Sequence, residues 1–141
     1  MEASEAKIDI INGSCHCKKV AFKVKVDLTK MSRNLCNCSI CSKRRHAVFF
    51  SNPSKFEIVQ GKEELSDYSF GTNNCHHYFC KTCGCSTHIS GENPNLGGAY
   101  ICVVVAAIDD FTPEQLDSFP VNYADGLNNT WTAPPKYTKY L

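Results

Sequence analysis

Apolar and polar residues alternate most regularly at Val20, Phe22, Val24 and Val26, with Lys19, Lys23, Lys25 and Asp27 facing the other way or ending the run. A period of two marks a strand with one buried and one solvated face. Shorter β-rich pieces follow at residues 47–50, 55–59, 68–70, 77–79 and 100–106. They are separated by Asn-Pro, Gln-Gly, Phe-Gly-Thr-Asn-Asn and Gly-Glu-Asn-Pro-Asn, combinations that turn the chain. The pattern predicts an all-β fold, an antiparallel meander. One helix start stands out, Thr112-Pro-Glu-Gln115. There Thr112 can cap, Pro113 suits the first helical position and Gln115 can reach back as a capping box, which predicts a short helix near the C-terminus. Asp109 and Asp110 just before it read as turn and helix-start residues rather than catalytic carboxylates.

The chain has 141 residues, with no repeat, low-complexity tract or internal linker. Such a length fits one domain that buries roughly two-thirds of its unfolded surface, so a metal need not be its only source of stability. Residues 132–141, with Pro134-Pro135, read as a loosely held tail. Fifteen Lys and Arg against fourteen Asp and Glu leave no positive field for nucleic acid. The longest apolar stretch, residues 99–108, is about half the roughly 20 residues that span a bilayer and suits a buried strand. Residues 1–9 are polar, carrying Glu2, Glu5 and Asp9, without the basic and apolar segments of a secretory signal. The expectation is a cytoplasmic or nuclear protein with no membrane or nucleic-acid partner.

Ten cysteines then need a reason. In a reducing compartment they are metal ligands or catalytic groups more often than disulfides, and their grouping into close pairs and a triplet suits chelation better than cross-linking. Cys15-His-Cys17 and Cys80-Lys-Thr-Cys83-Gly84 are two chelating pairs, the second with the spacing and glycine of a zinc knuckle. Together they would supply four thiolates to a closed tetrahedral site, although spacing also allows other combinations. Cys36-Asn-Cys38-Ser-Ile-Cys41 can place three sulfurs on one ion and leave a corner for water or substrate. Alternatively, Cys75, His46, His76, His77, Cys85 or His88 closes that tetrahedron and makes it a second structural clip.

Lys43-Arg44-Arg45 directly follows the triplet. Such a cluster can offset thiolate charge, grip the carboxylates of a ligand, or be a plain solvated turn. His16 lies between two candidate ligands and, in an extended pair, points away from the metal toward the surface. Cys102, inside an apolar run, reads as a small buried hydrophobe.

The order Gly13-Ser-Cys-His-Cys17, Cys36-x-Cys38-x-x-Cys41-x-Lys43 and Phe79-Cys-x-x-Cys-Gly84 resembles the family of glutathione-dependent formaldehyde-activating enzymes, which includes centromere protein V. The likeness extends through Val105-Ala-Ala-Ile-Asp-Asp110 to Tyr123-Ala-Asp-Gly-Leu-Asn-Asn-Thr-Trp131, setting a domain at residues 11–131 between an extension (1–10) and the tail (132–141). The resemblance implies a zinc-containing, all-β fold with two zinc ions per chain. One would be structural, on Cys15, Cys17, Cys80 and Cys83. The other would be of catalytic type, on Cys36, Cys38 and Cys41.

It also implies carbon–sulfur lyase chemistry, the joining of a thiol such as glutathione to a small aldehyde such as formaldehyde. A coordinated thiol is deprotonated near neutral pH, so a zinc on three cysteines would deliver and orient a thiolate. Lys43, Arg44 and Arg45 would then contact the carboxylates of the thiol compound, and Trp131 would either wall the pocket or cover the core. The alternative is a non-catalytic zinc module that acts through a protein partner, as the resemblance to centromere protein V allows. The fourth ligand of the second ion separates the two, and no general acid can be read from the sequence.

Overall fold

The alternating run does what its period dictates: Val20, Phe22, Val24 and Val26 are buried while Lys19 and Lys25 are exposed. The computed structural model describes residues 5–141; residues 1–4 of the polar N-terminal stretch lie outside the described residues. In chain order the elements are β1 (Ile8–Ser14), β2 (Ala21–Asp27), β3 (Arg33–Cys36), α1 (Cys41–Arg44), β4 (Val48–Ser51), β5 (Phe56–Gln60), β6 (Leu65–Tyr68), β7 (His76–Cys80), β8 (Ser86–Asn93), β9 (Gly98–Val104), α2 (Pro113–Ser118) and β10 (Val121–Ala124). No helix among the described residues is long and apolar enough to cross a membrane.

The strands make two sheets, one of three strands in the order β1-β2-β5 and one of seven in the order β10-β3-β4-β9-β8-β7-β6. Their facing sides enclose a core built on Ile11, Phe22, Val24, Phe49, Ile101 and Val103. Aromatic contacts carry the core from one sheet to the other. Phe22 meets Phe56 with ring centroids 5.2 Å apart, and Phe56 meets His88 of β8 at 4.5 Å. The all-β class and the helix are as the sequence predicts, and both halves of the capping box form: Gln115 N–H donates to Thr112 Oγ1 (3.1 Å) and Thr112 N–H to Gln115 Oε1 (2.9 Å).

Strands β6 to β9 are the expected antiparallel meander, but the topology departs from it in one functional respect. β10 pairs in parallel with β3, from Val121 opposite Arg33 to Ala124 opposite Cys36. A parallel neighbour so distant in sequence needs a long crossover, which no local turn signal announces. The strand expected at residues 68–70 lies at Leu65–Tyr68, with Phe70 in the following turn. β8 was not expected at all. Its sequence, Ser-Thr-His-Ile-Ser-Gly-Glu-Asn, lacks apolar alternation, yet Thr87, His88 and Ile89 are buried. Asp109 and Asp110 fasten β1 to the segment after β9. Ser14 Oγ donates to Asp109 Oδ2 (2.6 Å), and Asn12 donates to Asp110 Oδ2 from its backbone N–H (2.7 Å).

His88 is the core's most unusual member. Its ring stacks on Tyr78 at 4.5 Å, its Nδ1 lies 2.8 Å from Thr87 Oγ1, and burial lowers its pKa from 6.5 to about 4. The folded protein therefore refuses a proton that the unfolded chain accepts. Its stability contribution is whole above about pH 6.5 and is lost as pH falls toward 4, to an upper limit of roughly 3 kcal/mol. Urea unfolding of metal-loaded protein between pH 7 and 4 is expected to show this loss. His88→Phe should flatten the dependence; an unchanged slope would place the acid sensitivity elsewhere.

Candidate metal centre

All ten cysteines are free thiols, and seven of them converge in two groups. Cys15 and Cys17 sit in the β1–β2 loop, Cys80 ends β7, and Cys83 lies in the turn to β8. Their four sulfurs lie within 4.8 Å of one another. Cys15 Sγ to Cys17 Sγ is 3.6 Å and Cys17 Sγ to Cys80 Sγ is 3.7 Å. A tetrahedral ion with metal–sulfur bonds of about 2.3 Å needs edges of roughly 3.8 Å, so the donor set fits zinc in both chemistry and size.

The local backbone is shaped for thiolates. Gly84, at φ +77°, turns the chain after Cys83, and its N–H donates to Cys80 O at 2.7 Å. Val20 N–H donates to Cys15 Sγ at 3.3 Å. Backbone N–H groups of Cys17 and Cys85 draw Cys83 down to about 5, and those of Cys83 and Thr82 lower Cys80. Cys17 goes the other way, to about 11: the Lys19 N–H lowers it, but burial and the neighbouring sulfurs outweigh that pull. Four sulfurs this close cannot all be anionic without a cation between them.

Cys36, Cys38 and Cys41 form the second group, again within 4.8 Å, and no other His, Cys, Asp or Glu among the described residues joins it. Cys36 ends β3 and Cys41 begins α1, which closes at Arg45 in the left-handed conformation (φ +54°). Cys38 N–H points at Cys36 Sγ (3.4 Å). Hydrogen bonds from Cys36 and then Cys41 hold Cys38 down at about 2, while Cys36 and Cys38 drive Cys41 far up. Three thiols this close resist ionising together, and a divalent ion would let all three do so.

The parallel β10–β3 pair brings the segment after β10 onto this group. Buried Asn37, between two of the sulfur-bearing residues, donates from Nδ2 to Asp125 Oδ1 (2.9 Å), and its Oδ1 accepts from Leu127 N–H (2.9 Å). Asn128 donates to Asp125 as well (3.0 Å), and with Asn37 it keeps that carboxyl below its usual range. At Gly126 a Cβ would lie 2.7 Å from both Cys36 Sγ and the Trp131 ring, so only glycine admits this approach. Trp131 is 58% exposed and stands beside Cys36, not over the core. Asn37 looked like a spacer in the sequence; only the remote Asp125-Gly126 pair hints at its role.

None of the six residues weighed as a fourth ligand joins the three sulfurs within 4.8 Å. Cys75 Sγ contacts Tyr100 OH (3.2 Å), His76 Nδ1 contacts Asp67 (2.7 Å), His88 is in the core and Cys85 is exposed. His77 is buried, stacked on Phe70 at 5.8 Å. Cys102 is buried, which pushes its thiol up to about 12. His16 is exposed and outside both groups.

A cavity of about 880 Å³ is lined by Cys15 of the first group, by Gly84 next to Cys83, and by Arg44 and His46, which follow the second group in the chain. The sulfurs of the second group are not part of its wall. Lys18, paired with Asp109 at 3.3 Å, lines one side. Also in its wall, Arg44 donates from its guanidinium to Ser86 Oγ (2.9 Å) and lies 5.8 Å from the centre of the Phe79 ring. Lys43 and Arg45 are exposed and outside this wall. Both ring nitrogens of His46, and Nδ1 of His77, are buried without a hydrogen-bond partner among the described residues.

Residues 10–121 match the family model of the glutathione-dependent formaldehyde-activating enzyme. Among solved structures the chain is similar to the crystal structure of a Rhodobacter sphaeroides protein, at 30% identity and a TM-score of 0.67, over 79% of this chain and 100% of that one.

Cys83→Ser is expected to lose one bound metal ion and lower Tm by well over about 10 °C, because the four-sulfur group ties distant strands together. Cys38→Ser should also lose one ion but cost only a few degrees, and Gly126→Ala should weaken the three-sulfur group alone. Elemental analysis with thermal melts measures all three. Equal collapse from both cysteine changes would erase the distinction between the groups.

Proposed function

The chain belongs to the family of glutathione-dependent formaldehyde-activating enzymes, and from that premise we propose that it is a zinc-dependent carbon–sulfur lyase joining a thiol such as glutathione to a small aldehyde such as formaldehyde. The observation that carries this reading is the three-sulfur group, which no fourth donor among the described residues completes, with its Cys41 on the same short helix as Arg44, a cavity-lining residue whose guanidinium is positioned. Structural zinc is assigned to Cys15, Cys17, Cys80 and Cys83, and a working zinc to Cys36, Cys38 and Cys41. Zinc on three thiolates has one open position that favours an added thiol in its ionised form, and it is a weak Lewis acid toward a carbonyl.

The chain's own residues supply the rest. Arg44 would hold a carboxylate of the thiol compound in the forked geometry a guanidinium favours, its orientation fixed in advance by Ser86 and Phe79. Lys43 and Arg45 lie outside the cavity wall, so that contact is assigned to Arg44 alone. Asn37, Asp125 and Gly126 would hold Cys36 and Cys38 in register, with Trp131 as a wall against bulk water. The working domain is placed at residues 11–131, since the segment up to Trp131 packs on the second group. Thiolate ligands need a reducing compartment, so the assigned location is the cytoplasm or nucleus.

Glutathione is expected to bind the zinc-loaded protein with release of a proton, seen by calorimetry in buffers of differing ionisation enthalpy, and to add formaldehyde faster with protein than without. Arg44 is half-buried, so its charged hydrogen bond should be worth about 1 kcal/mol. Arg44→Ala should then weaken glutathione roughly fivefold while sparing a neutral thiol, and Lys43→Ala and Arg45→Ala should have little effect. Neither thiol binding nor faster adduct formation would favour the non-catalytic zinc module.

A further inference from the structure

Two turns supply the four-sulfur group, and they differ at one equivalent position. The residue after the second cysteine of each pair is left-handed, Gly84 at φ +77° and Lys18 at φ +69°. Glycine adopts that backbone freely, whereas a residue with a side chain is strained there. A lysine in such a place points to a side chain kept for what it does. Its ammonium turns to Ser14 Oγ (2.9 Å) and to Asp109 Oδ1 (3.3 Å) rather than to a sulfur. The fold gains little from this pair. Asp109 is held without it, by Ser14 Oγ (2.6 Å) and through its own N–H, which donates to Asn12 O (2.8 Å), and an exposed ion pair adds little stability. Ser14, Lys18 and Asp109 all line the cavity of about 880 Å³, and the side chains of Lys18 and Asp109 are 68% and 44% exposed. With histidine neutral and Cys15 committed to the four-sulfur group, the charged residues of that wall are Lys18, Arg44 and Asp109.

We propose that Lys18 and Asp109 together bind the α-amino-acid end of the thiol ligand, an inference that deepens the reading above and rests on it for the tripeptide thiol. Glutathione carries two carboxylates and one ammonium; the wall carries two cations and one anion. In an α-amino acid the ammonium nitrogen and the nearer carboxylate oxygen lie about 3 Å apart, because bonds of about 1.5 Å join them through one carbon. Lys18 and Asp109 present the opposite charges at 3.3 Å. Both also have hydrogen-bonding capacity left. Lys18 uses two of its three donors, on Ser14 and Asp109, and each Asp109 oxygen accepts one bond where it has room for about two. The ligand's α-carboxylate takes the third Lys18 donor, and its ammonium donates to Asp109. Arg44 keeps the carboxylate at the other end. A ligand with a carboxylate but no ammonium would meet Asp109 as a like charge, so the pair rejects as well as attracts. The site therefore selects thiols with a free α-amino-acid end.

The test measures binding of S-methylglutathione to metal-loaded protein by calorimetry, since the methylated sulfur keeps both charged ends of the ligand but has no proton to lose. Lys18→Gly is expected to keep both metal ions and to melt no lower than wild type, because glycine relieves the left-handed turn. The same variant should bind S-methylglutathione about three- to fivefold more weakly, the range for an exposed charge pair. Acetylating the ligand's α-amino group should weaken binding to wild type by a similar factor, and Asp109→Asn should remove most of that difference. Unchanged affinity in Lys18→Gly, an acetylated ligand held as tightly as the free amine, or no binding of S-methylglutathione would overturn the proposal, and the assigned reaction would still stand on adduct formation by wild type. A lost metal ion or a lower Tm in Lys18→Gly would make the lysine structural and overturn it equally. Wild-type protein that binds the ligand as expected yet does not speed adduct formation removes the reaction and leaves the binding site standing.

Discussion

Thiolate sulfurs repel one another, and the architecture depends on how that repulsion is managed. The four-sulfur group joins the β1–β2 loop of the small sheet to the β7–β8 turn of the large one, with Cys17 and Cys80 separated by 63 positions in the chain. Closing a loop of that length costs about 4 kcal/mol of chain entropy, beyond a constant term. A structural zinc supplies on the order of 10 kcal/mol or more, so metal bound there would exceed the closure cost by a wide margin. Cys15, Val20 and Cys80 are almost fully buried around it as a small core of their own. Without the cation this buried cluster would hold mutually repelling or unsatisfied sulfurs, so the same contacts that lock the sheets together would push them apart.

The three-sulfur group is arranged on the opposite principle. Its ligands come from one loop and one helical turn, so it closes no long stretch of chain and adds little to stability. Precision comes instead from β10, whose parallel pairing with β3 delivers Asp125 to Asn37 and Gly126 to Cys36. One site thus constrains the fold and the fold constrains the other, which is why four sulfurs at the first and three at the second have different consequences.

Legibility in the sequence followed locality. The cysteine groupings could be read because each pair or triplet chelates across one or two intervening residues, and the small sheet's central strand because its alternation is regular. β8 was hidden because it buries Thr87 and His88, polar residues satisfied by each other at 2.8 Å and by aromatic stacking. β10 was hidden because its partner is remote. Lys43, Arg44 and Arg45 looked equivalent as a string, but successive helical residues point about 100° apart, and only Arg44 meets Ser86. Cys36 and Cys38 drew attention as ligands, whereas Asn37 between them could be understood only once Asp125 was in place.

On the proposed reaction, selectivity must reside on the thiol side. A one-carbon aldehyde offers a single acceptor oxygen and almost no surface, so little binding energy can distinguish it from other small carbonyls. A tripeptide thiol offers carboxylates and length, and the cavity offers Arg44 with its orientation already fixed, together with Lys18, whose charge Asp109 largely compensates. One uncompensated guanidinium matches one carboxylate better than it matches a polyanion, in keeping with the near balance of charge along the whole chain.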